Sequence, residues 1–383
     1  MVTVIDDLPI RDDLRGRTAY GAPQEPVRVS INVNENPYDV PAEVVERVLD
    51  RVRAALPGLN RYPDREFVEL RKKLAEYLGH GLSADQIWAA NGSNEVLQHL
   101  LQTFAGPGRS VMGFAPTYSM YPLLTAGVGS EWIAAERDAD YELSAATAVA
   151  AIETHRPDVV IFCAPNNPTG TPVDLEIIKA AYEQTHGIVI VDEAYAEFQP
   201  DGTPSALELL PGRERLVVSR TMSKAFAYAG ARLGYLAADP ALCDALRLVR
   251  LPYHLSAITQ AAAIGALDCT DIMLGQVDAI RVQRDRLLTE IPKLGFPVYR
   301  SSANFVTFHG ITDPQAMFEE FYRRSILIRN NGLPGSLRVT AGTEAETTQF
   351  LDALAEIVRE HPELRAGTET ASTETASSET AGA

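Results

Sequence analysis

Five short runs constrain this chain most: IWAAN from Ile87, SVMGF from Ser110, VVIFCAP from Val159, IVIVDEA from Ile188 and LVVSRT from Leu216. Each is almost wholly apolar and lacks the alternation of a strand with one wet face, so each reads as a strand buried on both sides. Between several of them lie segments with apolar residues at helical spacing. PAEVVERVLDRVRAAL and FVELRKKLAEYLGH, upstream, carry the same spacing. Strands joined by helices predict an α/β fold, a mostly parallel sheet covered by helices on both faces. In such sheets ligands gather at the carboxyl ends of the strands.

Downstream the texture changes. A long charged helical segment, QVDAIRVQRDRLLTEIPKL, precedes strand-like ANFVTFHG, helical DPQAMFEEFYRR, then ILIRN and SLRVTAG. At 383 residues the chain exceeds one simple core. The expected organisation is a large domain over 41–260 and a smaller α/β domain over 261–365. Residues 1–40 would form an extended arm with a short strand, joining the small domain and able to cover a pocket. Residues 366–383, short Thr/Glu/Ala/Ser repeats without large apolar side chains, predict a disordered tail. The active site would lie between the domains.

The balance of 34 basic and 51 acidic residues, net −17, argues against a nucleic-acid or anionic-membrane partner. An anionic small molecule remains open, because local arginines decide that. Cys163, Cys243 and Cys269 have neither disulfide-framework nor zinc-ligand spacing, so no metal is expected. Without a secretory signal or a membrane-length apolar run, the expectation is a soluble cytoplasmic protein.

Three of the apolar runs end in polar residues of distinct type: VVIFCAP in NNPTG, IVIV in DEAY, and LVVS in RTMSK. Singly these are weak signals. A lysine is usually a solvated charge, an Asp after a strand is often a turn or cap residue, and NNPTG is a turn on composition alone. Together they fit pyridoxal phosphate. That cofactor needs a lysine for its aldehyde, a carboxylate for its pyridine nitrogen and donors for its ring oxygen. Lys224, Asp192, and Tyr195 with Asn167 suit those roles in turn.

A phosphate cradle can be sought independently. Gly92, Ser93 and Asn94 stand between a strand-like run and an amphipathic helix, where open backbone N–H groups would face an anion; the plain alternative is a Ser or Asn helix cap. Thr221, Ser223 and Arg232 add hydroxyls and a guanidinium, and Gly230 and Gly234 would allow close backbone approach. Tyr118, just past another strand end, could stack on the cofactor ring or simply pack in the core.

The ordered series NENPY, RYPD, GSNE, APNNPTG, VDEAYAEF, SRTMSKAFAYAGARLGY, ANF and LRVTAGT resembles the fold-type I, pyridoxal-phosphate-dependent aminotransferases. The likeness covers nearly the whole chain before the tail. Within that class the arm AYGAP…NENPY and SLRVTAGT are most similar to the histidinol-phosphate aminotransferases. The resemblance implies that Lys224 holds the cofactor covalently, Asp192 pairs with the pyridinium, and Tyr195 and Asn167 hold the ring oxygen. Ser93, Asn94, Thr221, Ser223 and Arg232 would bind phosphate beneath a stacked Tyr118. Tyr62 would reach the neighbouring subunit's cofactor, making a homodimer part of the site. Family members often carry an acidic residue where Asn94 stands.

By the same resemblance Arg338 binds an α-carboxylate, while Arg329 and Tyr20 help read a distal anion. The implied reaction is ping-pong transamination between histidinol phosphate and 2-oxoglutarate. Three rivals stand beside it: an aromatic amino acid aminotransferase on the same scaffold, a decarboxylase of a phosphorylated amino acid, and a cofactor-sensing regulator.

Overall fold

The computed structural model describes residues 7–16, 21 and 23–366. Tyr20 and the tail from residue 367 lie outside the described residues, and so do the expectations placed on them. In chain order the strands are β1 (Val29–Ser30), β2 (Ile87–Ala90), β3 (Ser110–Ala115), β4 (Glu131–Glu136), β5 (Val159–Cys163) and β6 (Ile188–Asp192). After these come β7 (Leu216–Thr221), β8 (Gly234–Ala238), β9 (Phe305–Phe308), β10 (Ile326–Leu327) and β11 (Leu337–Thr340).

Seven of them form one sheet in the order β2-β8-β7-β6-β5-β3-β4. The β7–β6–β5–β3–β4 side is parallel, while β8 runs antiparallel to both β7 and β2. All five apolar runs are strands of this sheet, and β2, β5 and β8 are buried along their whole length. Sequence reading missed β4 and β8. β4 is an edge strand with both terminal glutamates exposed, so it has no continuous apolar run. β8, GYLAA, sits directly behind the lysine segment and pairs back onto β7 as its antiparallel neighbour.

The helices at Ala42–Ala55 and Ala257–Leu267 pack so closely that a Cβ on Gly265 would come within 2.9 Å of Val48 Cα. The charged segment forms a single helix, Thr270–Lys293, which buries Val277, Ile280, Leu287 and Ile291 along one stripe. β9 and β11 form an antiparallel pair, and β1 of the N-terminal segment pairs in parallel with β10. ILIRN is a strand only at Ile326–Leu327; beyond it Arg329 and Arg338 exchange backbone hydrogen bonds of 2.9 Å each. Past β1, Ile31 accepts a hydrogen bond from Thr340 N, so the chain between β1 and Asn34 runs over the end of β11.

Register aligns the polar strand ends. Cys163 is opposite Asp192, and Asp192 is opposite Ser219, so the last residues of β5 and β6 share a row with Ser219 of β7. The turn NNPTG, the DEAY segment and the loop carrying Lys224 leave the sheet at one edge.

Candidate active site

Above that edge lies a cavity of about 430 Å³. Its floor carries Asp192, Lys224 and Tyr195, and one wall carries Ser93, Asn94, Thr221, Ser223 and Arg232. Tyr118, Asn167, Arg329 and Arg338 complete the set expected from sequence, and Val33 and Asn34 close the side toward the N-terminal segment.

Asp192 is 3 % exposed, and its carboxylate accepts hydrogen bonds from Tyr121 Oη at 2.9 Å and Ser219 Oγ at 3.2 Å. Burial pushes its pKa up to about 6, while the two hydroxyl donors pull the other way. A buried carboxylate in this state is stabilised by any cation that reaches its free edge. Asp192 is the last residue of β6, so the turn or cap alternative does not hold.

Lys224 Nζ donates to Val33 O at 3.0 Å. Burial lowers its pKa to about 8, helped by the Arg338 and Arg232 guanidiniums and opposed by Glu35. The amine is therefore far easier to deprotonate than a surface lysine. Tyr195 Oη accepts from Asn34 Nδ2 at 3.0 Å and Asn167 Nδ2 at 3.3 Å, and burial raises its pKa. Arg338 Nη1 donates to Asn167 Oδ1 at 2.5 Å, Nη2 donates to Asn32 O at 2.9 Å, and the guanidinium lies over the Phe305 ring. Tyr195, Asn167 and Arg338 thus form one connected network.

The helix Ser93–Phe104 begins beside this cavity with Gly92 as its cap residue. No side chain caps it, which removes the Ser/Asn cap reading and leaves its first amides open to a ligand. Gly92 has φ 86°, and a Cβ there would stand 2.4 Å from Arg232 Nη2, so the guanidinium approaches the glycine more closely than any side chain would allow. Gly234 is equally constrained, because a Cβ would come within 2.2 Å of Ser93 N. Gly230 is not: a Cβ there meets nothing within 4 Å, and the expectation of close approach is corrected at that position. Thr221 Oγ1 donates to Ser223 Oγ at 3.0 Å within the lysine loop, and Tyr118 Oη donates to Asn94 Oδ1 at 3.3 Å at the helix start.

Tyr62 lies outside this cavity. It is 78 % exposed and stacks on Tyr253 with ring centroids 4.4 Å apart. Three contributors escaped sequence reading: Asn34, Tyr121 and Ser219. Asn34 alone left a signal, as the first residue of NENPY, and its φ of 59° is one that Asn adopts more readily than most residues. Cys163 also lines the cavity and is a buried thiol with its pKa pushed up to about 12, which keeps it unreactive.

Among the described residues no cluster of His, Cys, Asp and Glu could hold a metal ion, and no single helix is long and apolar enough to cross a membrane. The family profile "Aminotransferase class I and II" matches residues 27–354. The histidinol-phosphate aminotransferase of Paenarthrobacter aurescens (strain TC1) is 57 % identical over 357 residues, covering 92 % of this chain and 96 % of its own. The corresponding protein of Thermobifida fusca (strain YX) is 53 % identical over 91 % of this chain and 95 % of its own. Among solved structures, the histidinol-phosphate aminotransferase of Sinorhizobium meliloti, in complex with pyridoxal-5'-phosphate, superposes with a TM-score of 0.78 at 25 % identity. It covers 87 % of this chain and 92 % of that one. With a profile matching most of its length and relatives more than half identical, the chain belongs to the class I and II aminotransferases.

Proposed function

We propose that this chain binds pyridoxal phosphate and transfers an amino group from histidinol phosphate to 2-oxoglutarate, a step of histidine biosynthesis. The observation that carries the reading is the meeting, in one cavity, of a deprotonatable lysine, a buried carboxylate and an uncapped helix start. The residues present fit the cofactor. Asp192 would hold its pyridine nitrogen, Tyr195 and Asn167 its ring oxygen, and Tyr118 its ring face. The amides of Ser93 and Asn94, the Thr221 and Ser223 hydroxyls and Arg232 would hold its phosphate, in a cradle that any side chain at Gly92 would fill.

When bound, the cofactor supplies an electron sink for the carbon that carries the amino group. Lys224 Nζ takes the proton from that carbon, for which a lowered pKa leaves more of it neutral near pH 7. Arg338, already oriented by Asn167 and Asn32, binds the substrate's anionic group, with Arg329 on the same wall for the distal charge. Tyr20 would join them. One cavity then serves donor and acceptor in turn, because a phosphate ester and a dicarboxylate present the arginines with similar anions.

The relatives' names favour histidinol phosphate, whereas the cofactor residues would serve any amino donor. Purified enzyme with 2-oxoglutarate should show kcat/KM for histidinol phosphate at least about a hundredfold above that for phenylalanine, which offers a carboxylate in place of the phosphate ester and a phenyl ring without the hydrogen-bonding nitrogens of imidazole. The reverse ranking would assign the chain to aromatic amino acids, and carbon dioxide release without a keto-acid requirement would make it a decarboxylase.

The chain reads best as an arm (1–40), a large unit (41–260) and a small unit (261–365), since each lends residues to the cavity. A reducing, cytoplasmic setting suits its three unpaired cysteines. A homodimer accounts for the exposure of Tyr62 together with Leu59, Leu248 and Leu251, which are 51 %, 85 % and 74 % exposed. If Tyr62 completes the neighbour's site, mixing inactive Lys224→Ala chains with Tyr62→Ala chains should restore activity, because each mixed dimer holds one intact site. Verified mixed dimers that gain nothing would remove Tyr62 from the partner's site.

A further inference from the structure

Asn91, the residue between β2 and the cap Gly92, has no role in the reading above, yet it bonds Glu95, His254 and Arg232 around the helix start. Its backbone N–H and its Nδ2 both donate to Glu95 Oε2, the latter at 2.7 Å. The same Nδ2 donates to His254 O at 2.9 Å, and Asn91 O accepts from Arg232 Nη2 at 3.4 Å. The His254 ring, stacked on Trp88, bonds Ala89 O at 2.8 Å and fixes that strap to the end of β2.

Glu95 is the third residue of the helix, and an acidic side chain there commonly turns back toward the open amides of the first turn. In this chain those amides face the cavity wall where an anion would sit. A carboxylate swinging into that wall would occupy the donors and repel the anion.

We infer that Asn91 is a positioning residue of the phosphate cradle: it holds the Glu95 carboxylate away from the Ser93 and Asn94 amides while its carbonyl steadies Arg232 over Gly92. The role rests on the proposed binding of pyridoxal phosphate. It is exerted through Glu95 and Arg232, and Asn91 itself does not line the cavity.

Full-length cofactor-free chain titrated with pyridoxal phosphate and with pyridoxal, followed by absorbance, separates the phosphate from the ring. Asn91→Ala removes the Nδ2 donor but keeps the backbone N–H and carbonyl, so it tests the side chain's hold on Glu95 and leaves the carbonyl's contact with Arg232 in place. With one of two donors gone and the carboxylate freer to turn toward the amides, pyridoxal phosphate binding should weaken by roughly tenfold, the order expected when one charge-assisted contact is lost. Pyridoxal affinity should stay within about twofold, since no phosphate is present to feel the change. Adding Glu95→Gln to Asn91→Ala should recover most of the loss, because the released side chain no longer carries a charge. Equal losses for both ligands, no loss at all, or no recovery in the double variant would each overturn the assignment. A wild-type chain that fails to bind pyridoxal phosphate would instead sink the proposed function, which keeps the two failures apart.

Discussion

Lys224→Ala is expected to lower kcat by at least about a thousandfold and to abolish the absorbance band of covalently held cofactor, because one amine serves as both tether and proton carrier. A variant with normal turnover would remove Lys224 from the chemistry. The wild-type lysine also makes a pH prediction. Its folded-state pKa lies near 8, below the 10.5 of a free lysine, because burial and then Arg338 penalise the ammonium. The neutral amine therefore predominates above about pH 8 and is lost as pH falls through that value. Cofactor capture by the cofactor-free chain should rise with pH with a midpoint near 8. In Arg338→Ala, with a neighbouring cation gone, the midpoint should move upward, and a midpoint that stays in place would show that the guanidinium does not act on the amine.

Asp192→Asn is expected to lower kcat by about a hundred- to a thousandfold, the range seen when a preorganised electrostatic partner of the reacting system is removed. Its shape is nearly conserved, and one amide oxygen can still accept from Tyr121 or Ser219, so the loss would reflect charge. A second readout is independent of activity. The Asp192 carboxyl has a folded pKa of about 6 against an ordinary 3.8, with burial the main cause. A raised folded pKa contributes stability below the ordinary value, and that contribution is lost as pH rises through about 6. In cofactor-free protein the Tm difference, Asp192→Asn minus wild type, should therefore grow more positive between pH 4 and 7. A bound cofactor, placing positive charge against the carboxylate, should cancel that trend in the wild type. A Tm difference that is flat with pH in the cofactor-free chains would mean that Asp192 ionises there as freely as in water.

Much of the large sheet was legible in the sequence because its inner strands are buried on both faces. Burial on both faces writes a continuous apolar run into consecutive residues, as at Val159–Cys163 and Leu216–Thr221. β4 escaped the same test because it is an edge strand with wet glutamates at both ends. β10 was overestimated as ILIRN because the run continues past the last paired residue, Leu327, into the loop that delivers Arg329 to the cavity. The glycines divide similarly. Gly92 and Gly234 sit where backbone and guanidinium leave no room for a Cβ, whereas Gly230 beside them faces open space. The letter G alone does not distinguish these cases.

By itself the sequence determined where chemistry could be displayed: Asp192, Lys224 and the NNPTG turn each follow an apolar run, and a run buried on both faces must end at a sheet edge. It also determined the family, through an ordered series of short motifs. Only the tertiary structure decided what each group meets and hence how it behaves. Asn34 reaches Tyr195 across 161 positions, Tyr121 reaches Asp192 across 71, and Arg338 reaches Asn167 across 171. Such contacts leave no local periodicity, because they arise when strand register and loop course bring distant segments together. The lowered pKa of Lys224 and the raised pKa of Asp192 belong to the same class, since burial and neighbouring charge are properties of the assembled cavity and not of any stretch of chain.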